Sequence, residues 1–379
     1  MNQSDFTPEE LARYNRHIII PEFGIEGQKK LKQAKVLVIG SGGLGSPVLL
    51  YLAAAGVGTI GIVDYDIVDD SNLQRQVLFT KDDIGIPKVL AAKKKVKSLN
   101  PHIKVKTYNK QFTSENALEI IKDYDIVVDG TDNFPTRYLV NDACVIAGKI
   151  NVYASIFRFD GQVTVFNAPK EDGTRNANYR DIFPTPPPPG QVPSCAEGGV
   201  LGVLPGIIGA LQANEVIKII TGIGEPLINK LYTFNALNFE SRTLNIHIPK
   251  DRHSINELID YEFFCGVPAN DHKVELKEID VLEFNKIKDK EDLFILDVRE
   301  AHEYDIVNIN GNLIPLGEIE QRLNEIPKNK KVLVHCKVGG RSLQAIETLS
   351  KKHGYDNLWN LKGGIIEYVE KIDSSLKKY

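Results

Sequence analysis

Short apolar runs alternate with longer helical patterns along most of this chain. Residues from Thr7 to about Lys32 predict a helix, with Thr7 as N-cap and Glu9 and Glu10 in its first turn. Lys35–Ile39 is apolar, too short for a helix and closed by glycine, which predicts a buried parallel strand. An Ala/Leu-rich helix over Leu44–Ala55, a strand over Thr59–Val63 ending at Asp64, and a Lys-rich helix over Lys88–Leu99 follow. Strands are expected at Val105–Tyr108 and at Asp125–Val128, the second running into the polar tip GTDN. Phe159–Phe166 alternates as a hairpin strand does. Pro184–Pro189 is a proline-rich crossing segment that cannot join a helix, and Leu201–Ile220 predicts a helix apolar nearly all round, hence buried.

Periodicity then fades, and residues 251–273 read as a linker. Beyond it a second alternating unit predicts strands at Leu293–Asp297, Leu313–Ile314, Val332–His335 and Leu358–Asn360. Its expected helices are Leu316–Glu325, Ser342–His353 and Ile365–Ser374. The expected fold class is therefore α/β: a doubly wound, Rossmann-like domain over residues 1–250 and a small α/β domain over residues 274–379.

Composition narrows the function classes. With 379 residues, 42% hydrophobic and 25% charged, the chain reads as an ordinary soluble two-domain protein. A net charge of −4 speaks against nucleic-acid or membrane partners, and Lys93–Lys95 reads as a solvated helix face. No run of 18 apolar residues exists, and the polar, acidic start MNQSDFTPEE is unlike a signal peptide. Cys144, Cys195, Cys265 and Cys336 are far apart and form no C-x-x-C pair, which fits a reducing, cytoplasmic home.

Two loops carry chemistry. In KVLVIGSGGLGS, Gly40, Gly42 and Gly45 match G-x-G-x-x-G, where glycine lets backbone N–H groups approach phosphates at a helix start. Asp64, 19 residues after Gly45, ends the next strand and could bond a ribose hydroxyl. On the glycines alone an NAD-dependent dehydrogenase fits as well. Asn72, Arg75 and Gln76, just after Asp64, and Lys88, at a helix start, favour ATP, because its three phosphates need cations. Asp132 and Asn133 end a strand on the same expected edge, and Asp132 is a candidate Mg²⁺ ligand.

In KVLVHCKVGGRS, four residues separate Cys336 from Arg341. So short a loop wraps N–H groups around one atom beyond the cysteine sulfur, and the following helix adds its positive end. That field suits a thiolate or persulfide anion. Phosphate would need a longer loop, as in cysteine phosphatases.

These residues, with DYDIVDDSNLQRQ, GIPKVLAA, GTDN and CAEGGVLG, resemble the ThiF/MoeB-type adenylyltransferases that activate ubiquitin-like sulfur-carrier proteins, over roughly Glu9–Ile248. LDVREAHEY, IPLGEI and LWNLKGGIIEY, around the Cys336 loop, resemble rhodanese-type sulfurtransferases over about Val274–Asp373, with Asp297 and Arg299 in that family's structural signature. The resemblance implies that Gly43, Asp64, Asp66, Ser71, Asn72, Leu73, Gln74, Arg75, Lys88, Asp132 and Asn133 bind ATP. It also implies that Arg16, in RYNRHI, reaches into the ATP site of a second copy, making a homodimer. The implied partners are a sulfur carrier ending in Gly-Gly and a cysteine desulfurase or other sulfur donor. Cys336 and Arg341 would act in sulfur transfer. Cys195, in PSCAEGGVLG, matches a position that links covalently to the carrier; as an alternative it is a packing cysteine. The zinc-binding C-x-x-C pairs of the family fall here on Asn178 and Asp181 and on Cys265 and Pro268, so no zinc is expected. A nucleotide-binding regulatory protein with a non-catalytic rhodanese domain is the alternative of another class. The carrier's pathway, whether molybdopterin, thiamine, cysteine or tRNA thiolation, is not written in the chain.

Overall fold

The computed structural model describes residues 6–187, 198–252, 254–266, 277–288 and 292–377. The chain forms two units, Met1–Pro268 and Ala269–Tyr379.

The first unit opens with two helices, α1 (Pro8–Ile18) and α2 (Gly24–Gln33), in place of the single helix expected from Thr7 to Lys32. Pro21 lies in the break, where its ring and missing N–H do no damage to a helical ladder. Thr7 caps α1 as expected. Its hydroxyl accepts the Glu10 N–H at 3.2 Å, and the Glu10 carboxylate accepts the Thr7 N–H at 2.9 Å.

The alternating segments follow as β1 (Lys35–Ile39), α3 (Gly45–Ala55), β2 (Thr59–Asp64), α4 (Lys88–Leu99), β3 (Lys104–Asn109), α5 (Ala117–Ile121), β4 (Ile126–Asp129) and α6 (Phe134–Ile146). Four further strands, β5 (Ile150–Phe157), β6 (Asp160–Phe166), β7 (Lys230–Asn235) and β8 (Ser241–Asn245), complete an eight-stranded sheet of order β3-β2-β1-β4-β5-β6-β7-β8. It is parallel from β3 to β5 and antiparallel from β5 to β8. Strand β1 is buried on both faces. Val36 and Val38 pack with Leu49, Leu52 and Ala213, whereas Leu37 and Ile39 pack with Val127, Tyr138 and Tyr153. Each fully buried aliphatic side chain stabilises the fold by about 1.5–3 kcal/mol, which is why Val36–Ile39, the buried part of the strand, carries no polar residue.

The helix expected near Leu201–Ile220 is α8 (Leu204–Thr221), preceded by the single turn α7 (Tyr179–Ile182). Gln212, within α8, donates from Nε2 to the carbonyls of Asp129 at 2.7 Å and Val152 at 2.8 Å, tying the helix to the ends of β4 and β5. The stretch read as a linker contains a further turn, α9 (Tyr261–Phe264), packed on α6, with the Tyr261 hydroxyl donating to Asp142 Oδ2 at 2.8 Å.

The second unit contains β9 (Glu278–Ile279), α10 (Val281–Ile287), β10 (Leu293–Asp297), α11 (Ala301–Ile306), β11 (Asn312–Leu313), β12 (Lys331–His335), α12 (Gly340–His353), β13 (Leu358–Leu361) and α13 (Gly364–Lys371). Its five strands are all parallel, in the order β11-β10-β12-β13-β9. Leu316–Glu325, expected as a helix, is instead two 3₁₀ turns, Leu316–Gln321 and Leu323–Glu325, because Arg322 leaves the helical region between them. Central strand β12 divides its side chains as β1 does: Val332 and Val334 face one core cluster and Leu333 the other. Among the described residues no helix is long and apolar enough to cross a membrane.

Candidate active site

In the first unit β1 has β2 on one side and β4 on the other, so the chain winds in opposite directions from it. Ligands of doubly wound sheets bind in the crevice at such a switch point, beyond the carboxyl ends of the strands. A cleft opens there, lined among others by Gly40, Gly42, Gly43, Asp64, Asp66, Arg75, Gln76, Lys88, Lys110, Asp132, Asn133 and Arg137.

The glycine turn is built by backbone contact. Gly40 has φ +87, a left-handed conformation that favours glycine, and its N–H donates to the Val63 carbonyl at 2.8 Å. A Cβ on Gly45 would lie 2.0 Å from the Gly40 carbonyl oxygen, whereas one on Gly42 would make only ordinary contact with the Gln76 side chain, at 3.6 Å. Gly40 and Gly45 therefore shape the turn, and Gly42 and Gly43 face the cleft. Asp64 supports the same turn: its Oδ2 accepts the Ser41 N–H at 2.8 Å and the Ser41 hydroxyl at 2.7 Å, and its Oδ1 accepts the Asp66 N–H at 3.0 Å. The ribose contact expected of Asp64 thus has to share a carboxylate already bound three times within the protein.

The cations are placed by short local elements. Ser71, Asn72, Leu73 and Gln74 do not line the cleft. Asp69 caps a 3₁₀ turn over Asp70–Asn72, and the turn carries Arg75 to the cleft with its Nη1 donating to the Ser71 carbonyl at 3.0 Å. Ser71–Gln74 belong to the turn that presents Arg75. Lys88 is buried at the start of α4 and pairs with Asp66 at 2.8 Å. Asp132 is exposed on the opposite rim. Asn133 is the N-cap of α6, its side chain accepting the Thr136 N–H at 2.9 Å. Arg16 is exposed on α1 and lies outside the lining of this cleft.

Two cleft residues, Lys110 and Arg137, lacked a motif, as did Ser41, which is buried beneath the cleft against Asp64. Ser41 sits at a variable position inside the glycine signature. Lys110 follows β3 at the carboxyl edge, and Arg137 lies one turn beyond the Asn133 cap; strand-edge and helix-turn position could have marked both. Beneath them Asp129 is fully buried at the end of β4, and burial raises its carboxyl above the usual range against the opposing pull of Arg137 and the Thr131 hydrogen bonds.

The second loop follows β12. Cys336 is only 1% exposed, and its Sγ accepts the Gly339 N–H at 3.1 Å. The fourteen-residue helix α12 begins at Gly340, aimed with its free N–H groups at this loop. Ser342 Oγ lies 3.6 Å from the sulfur, 2.9 Å from the Gly339 carbonyl and 2.7 Å from Asn360 Oδ1. Asn360 in turn donates from Nδ2 to Glu278 Oε1 at 2.9 Å. Arg341 makes a two-point pair with Glu303, at 2.6 and 2.7 Å. Asp297 and Arg299 form a fully buried pair, consistent with a structural role.

The region of the expected zinc remnant is filled by other contacts. Asn178 caps α7, and Asp181 accepts the Asn178 N–H at 2.8 Å and pairs with Arg252 at 3.0 Å. The Arg180 guanidinium stacks on Tyr138 and Phe264. Cys265 is half-buried, and burial pushes its thiol up to about 11, away from the thiolate that zinc needs. Among the described residues no cluster of metal-ligating side chains occurs, and this set does not fit zinc. Cys195 and Pro268 lie outside the described residues. Cys144 is buried on α6, and burial raises its thiol, as expected of a core residue.

The ThiF family pattern matches residues 14–255 and that of the Rhodanese-like domain residues 280–371. The chain is 46% identical to the "Probable adenylyltransferase/sulfurtransferase MoeZ" of Mycobacterium tuberculosis, over 99% of this chain and 97% of that protein. It is 53% identical to the "Sulfur carrier protein adenylyltransferase" of Thermus thermophilus, over 69% of this chain and 99% of that one. Among solved structures it resembles E. coli MccB bound to MccA-N7isoASN, with a TM-score of 0.57 and 25% identity over 66% of this chain and 75% of that one. Relatives that carry both enzyme names do not favour the regulatory alternative.

Proposed function

We propose, since the chain belongs to the ThiF family and continues into a rhodanese-like domain, that it adenylates the C-terminal carboxylate of a ubiquitin-like sulfur-carrier protein and then transfers sulfur to it from Cys336. The observation that carries this reading is the convergence of Gly42, Gly43, Arg75, Lys88 and Asp132 on one cleft at the switch point of the sheet.

The chemistry follows from charge. A carboxylate is a poor electrophile. Its attack on the α-phosphate of ATP forms an acyl–phosphate bond, breaks the α–β bridge and releases pyrophosphate. Such sites work by positioning and by neutralising charge. The turn N–H groups and the start of α3 face the phosphates, Arg75 and Lys88 supply positive charge, and Asp132 would hold Mg²⁺ together with phosphate oxygens. One carboxylate suffices, since Mg²⁺ keeps most of its waters and borrows substrate oxygens. Arg16, exposed and away from its own cleft, would complete the site of a second copy in a homodimer.

In the second step the terminal sulfur of a Cys336 persulfide attacks the acyl carbon and AMP leaves, giving an acyl disulfide. A thiol reductant then cleaves the S–S bond, releasing the carrier thiocarboxylate and regenerating Cys336. The Gly339 N–H, Ser342 and the start of α12 would stabilise the sulfur anion, and a cysteine desulfurase or other donor would reload it. Cys195 would act only if an acyl group passes through it on the way. The packing around Asn178, Asp181 and Cys265 supports a protein that needs no zinc.

The test is to separate the two half-reactions. Cys336→Ala should retain carrier-dependent ATP–pyrophosphate exchange and lose thiocarboxylate formation, read by intact-carrier mass. Thiocarboxylate made by that variant from a persulfide donor would overturn the assignment of sulfur transfer. Absence of exchange in the wild-type chain with Gly-Gly-ended carriers would overturn adenylation.

A further inference from the structure

Arg137 is a buried cation without a carboxylate partner. It is 8% exposed and lines the nucleotide cleft. Its guanidinium lies 5.5 Å from the ring centres of both Phe134 and Tyr153, and its Nη2 donates to the Thr131 carbonyl at 3.3 Å. Its Nε is buried and has no hydrogen-bond partner. Asp129 acts on it electrostatically, yet among the described residues no carboxylate comes within 4 Å. The Tyr179 hydroxyl is its further hydrogen-bond partner. Arginine stays charged in proteins, and a buried charge lining a cleft without a paired carboxylate is suited to an anionic ligand.

The other cations differ. Lys88 is neutralised by Asp66, and Arg75 is held by the turn on the β2 side of the cleft. Arg137 belongs to α6, on the β4–β5 side, where the apolar side chains of Ile156 and Val200 also line the cleft. The glycine turn claims the triphosphate for the β1–β2 side. An incoming acid would be repelled by Asp64, Asp66 and Asp132, and the cation left for it is Arg137.

We infer that Arg137 receives the C-terminal carboxylate of the carrier, the adenylyl acceptor, holding its two oxygens with the planar fork of the guanidinium while the Ile156–Val200 side takes the side-chain-free Gly-Gly backbone. The inference rests on the adenylation reading and adds the residue that selects a free C-terminus. Because Tyr153 and Phe134 fix the plane of the fork, one carboxylate oxygen can be presented to the α-phosphate.

The experiment is a double-mutant cycle. A Gly-Gly-ended sulfur carrier and the same carrier ending in a carboxamide are titrated into the full-length protein saturated with α,β-methylene ATP, for the wild type, Arg137→Gln and Arg137→Lys. The wild type should bind the amide about 30-fold more weakly than the acid, as expected for loss of a buried charge-assisted pair. Arg137→Gln should bind acid and amide alike, Arg137→Lys should show an intermediate preference, and affinity for the ATP analogue should hardly change. An equal acid-over-amide preference in wild type and variants would overturn the inference. So would a loss of ATP-analogue affinity with the preference intact, which would give Arg137 to a phosphate. If Arg137→Gln fails to fold, the Lys variant decides by the same two readings. A wild type that binds neither carrier form counts against the adenylation reading itself.

Discussion

A methyl group on Gly45 would sit 2.0 Å from the Gly40 carbonyl oxygen, with backbone on both sides of the clash. No side-chain rotation relieves such a contact, so Gly45→Ala should cost about 1–3 kcal/mol by overpacking and abolish ATP binding. Urea unfolding and calorimetric titration with ATP would read both; a variant that binds ATP as the wild type does would show that the turn can open. Gly40, Gly45, Arg75, Lys88 and Cys336 were legible at this scale because each sits in a motif whose spacing has a steric or electrostatic cause. Ser41 and Arg137 were not. Ser41 occupies a position the glycine signature leaves free, and the importance of Arg137 comes from neighbours such as Tyr153 that are distant in sequence. Ser71–Gln74 show the reverse relation: they stand in the same motif as Arg75, and only Arg75 of the five lines the cleft.

Most strands and helices were readable because both sheets have central strands buried on two faces, and such strands are continuous apolar runs. The failures have local causes. Pro21 splits the first helix. Residues near Tyr261 lack periodicity because α9 is a single turn, held by the Asp260 cap, the Tyr261 hydrogen bond to Asp142 and ring packing on α6. The capped turn α7, beside α9, predicts that purified protein contains far less than one zinc per chain, measurable by elemental analysis; one zinc per chain would contradict the packing described. Strand β12 gives a pH prediction. Burial pushes the His335 imidazole below its ordinary range, and Arg299 acts the same way, against the opposing pull of Asp297 at 3.5 Å. The unfolded chain therefore takes up a proton at about pH 6.5 that the folded one refuses, so this contribution is complete above that pH. Below it stability should fall by up to about 1.4 kcal/mol per pH unit. The sole tryptophan, Trp359, lies in β13 of the same unit, so its fluorescence during urea unfolding at pH 7.5 and 5.5 reports the effect. The difference should shrink in His335→Gln, and an unchanged difference would assign it to other groups.

At the scale of the whole molecule, two units each present a Gly-rich loop at the end of a central strand. Arg16→Ala and Arg75→Ala should each be inactive in pyrophosphate exchange. Mixed after subunit exchange, they should regain up to about a quarter of wild-type activity if dimers assort at random, because one of the two clefts in a mixed dimer has both arginines. No recovery after confirmed exchange would place Arg16 in its own subunit's reaction.

The pairing of β13 with β9, Asn360 with Glu278 and Leu361 with Ile279, joins the first and the last strand of the second unit among the described residues. The hydrogen-bonded line from Glu278 through Asn360 and Ser342 to the Cys336 sulfur runs across that seam. During synthesis the ribosome therefore finishes the ATP cleft long before the cysteine has a home. A transcript cut a few codons short of Leu358 would yield a chain that contains Cys336 yet has no shelter for it. The pocket around Cys336 is thus closed only in molecules that have been read to near their end.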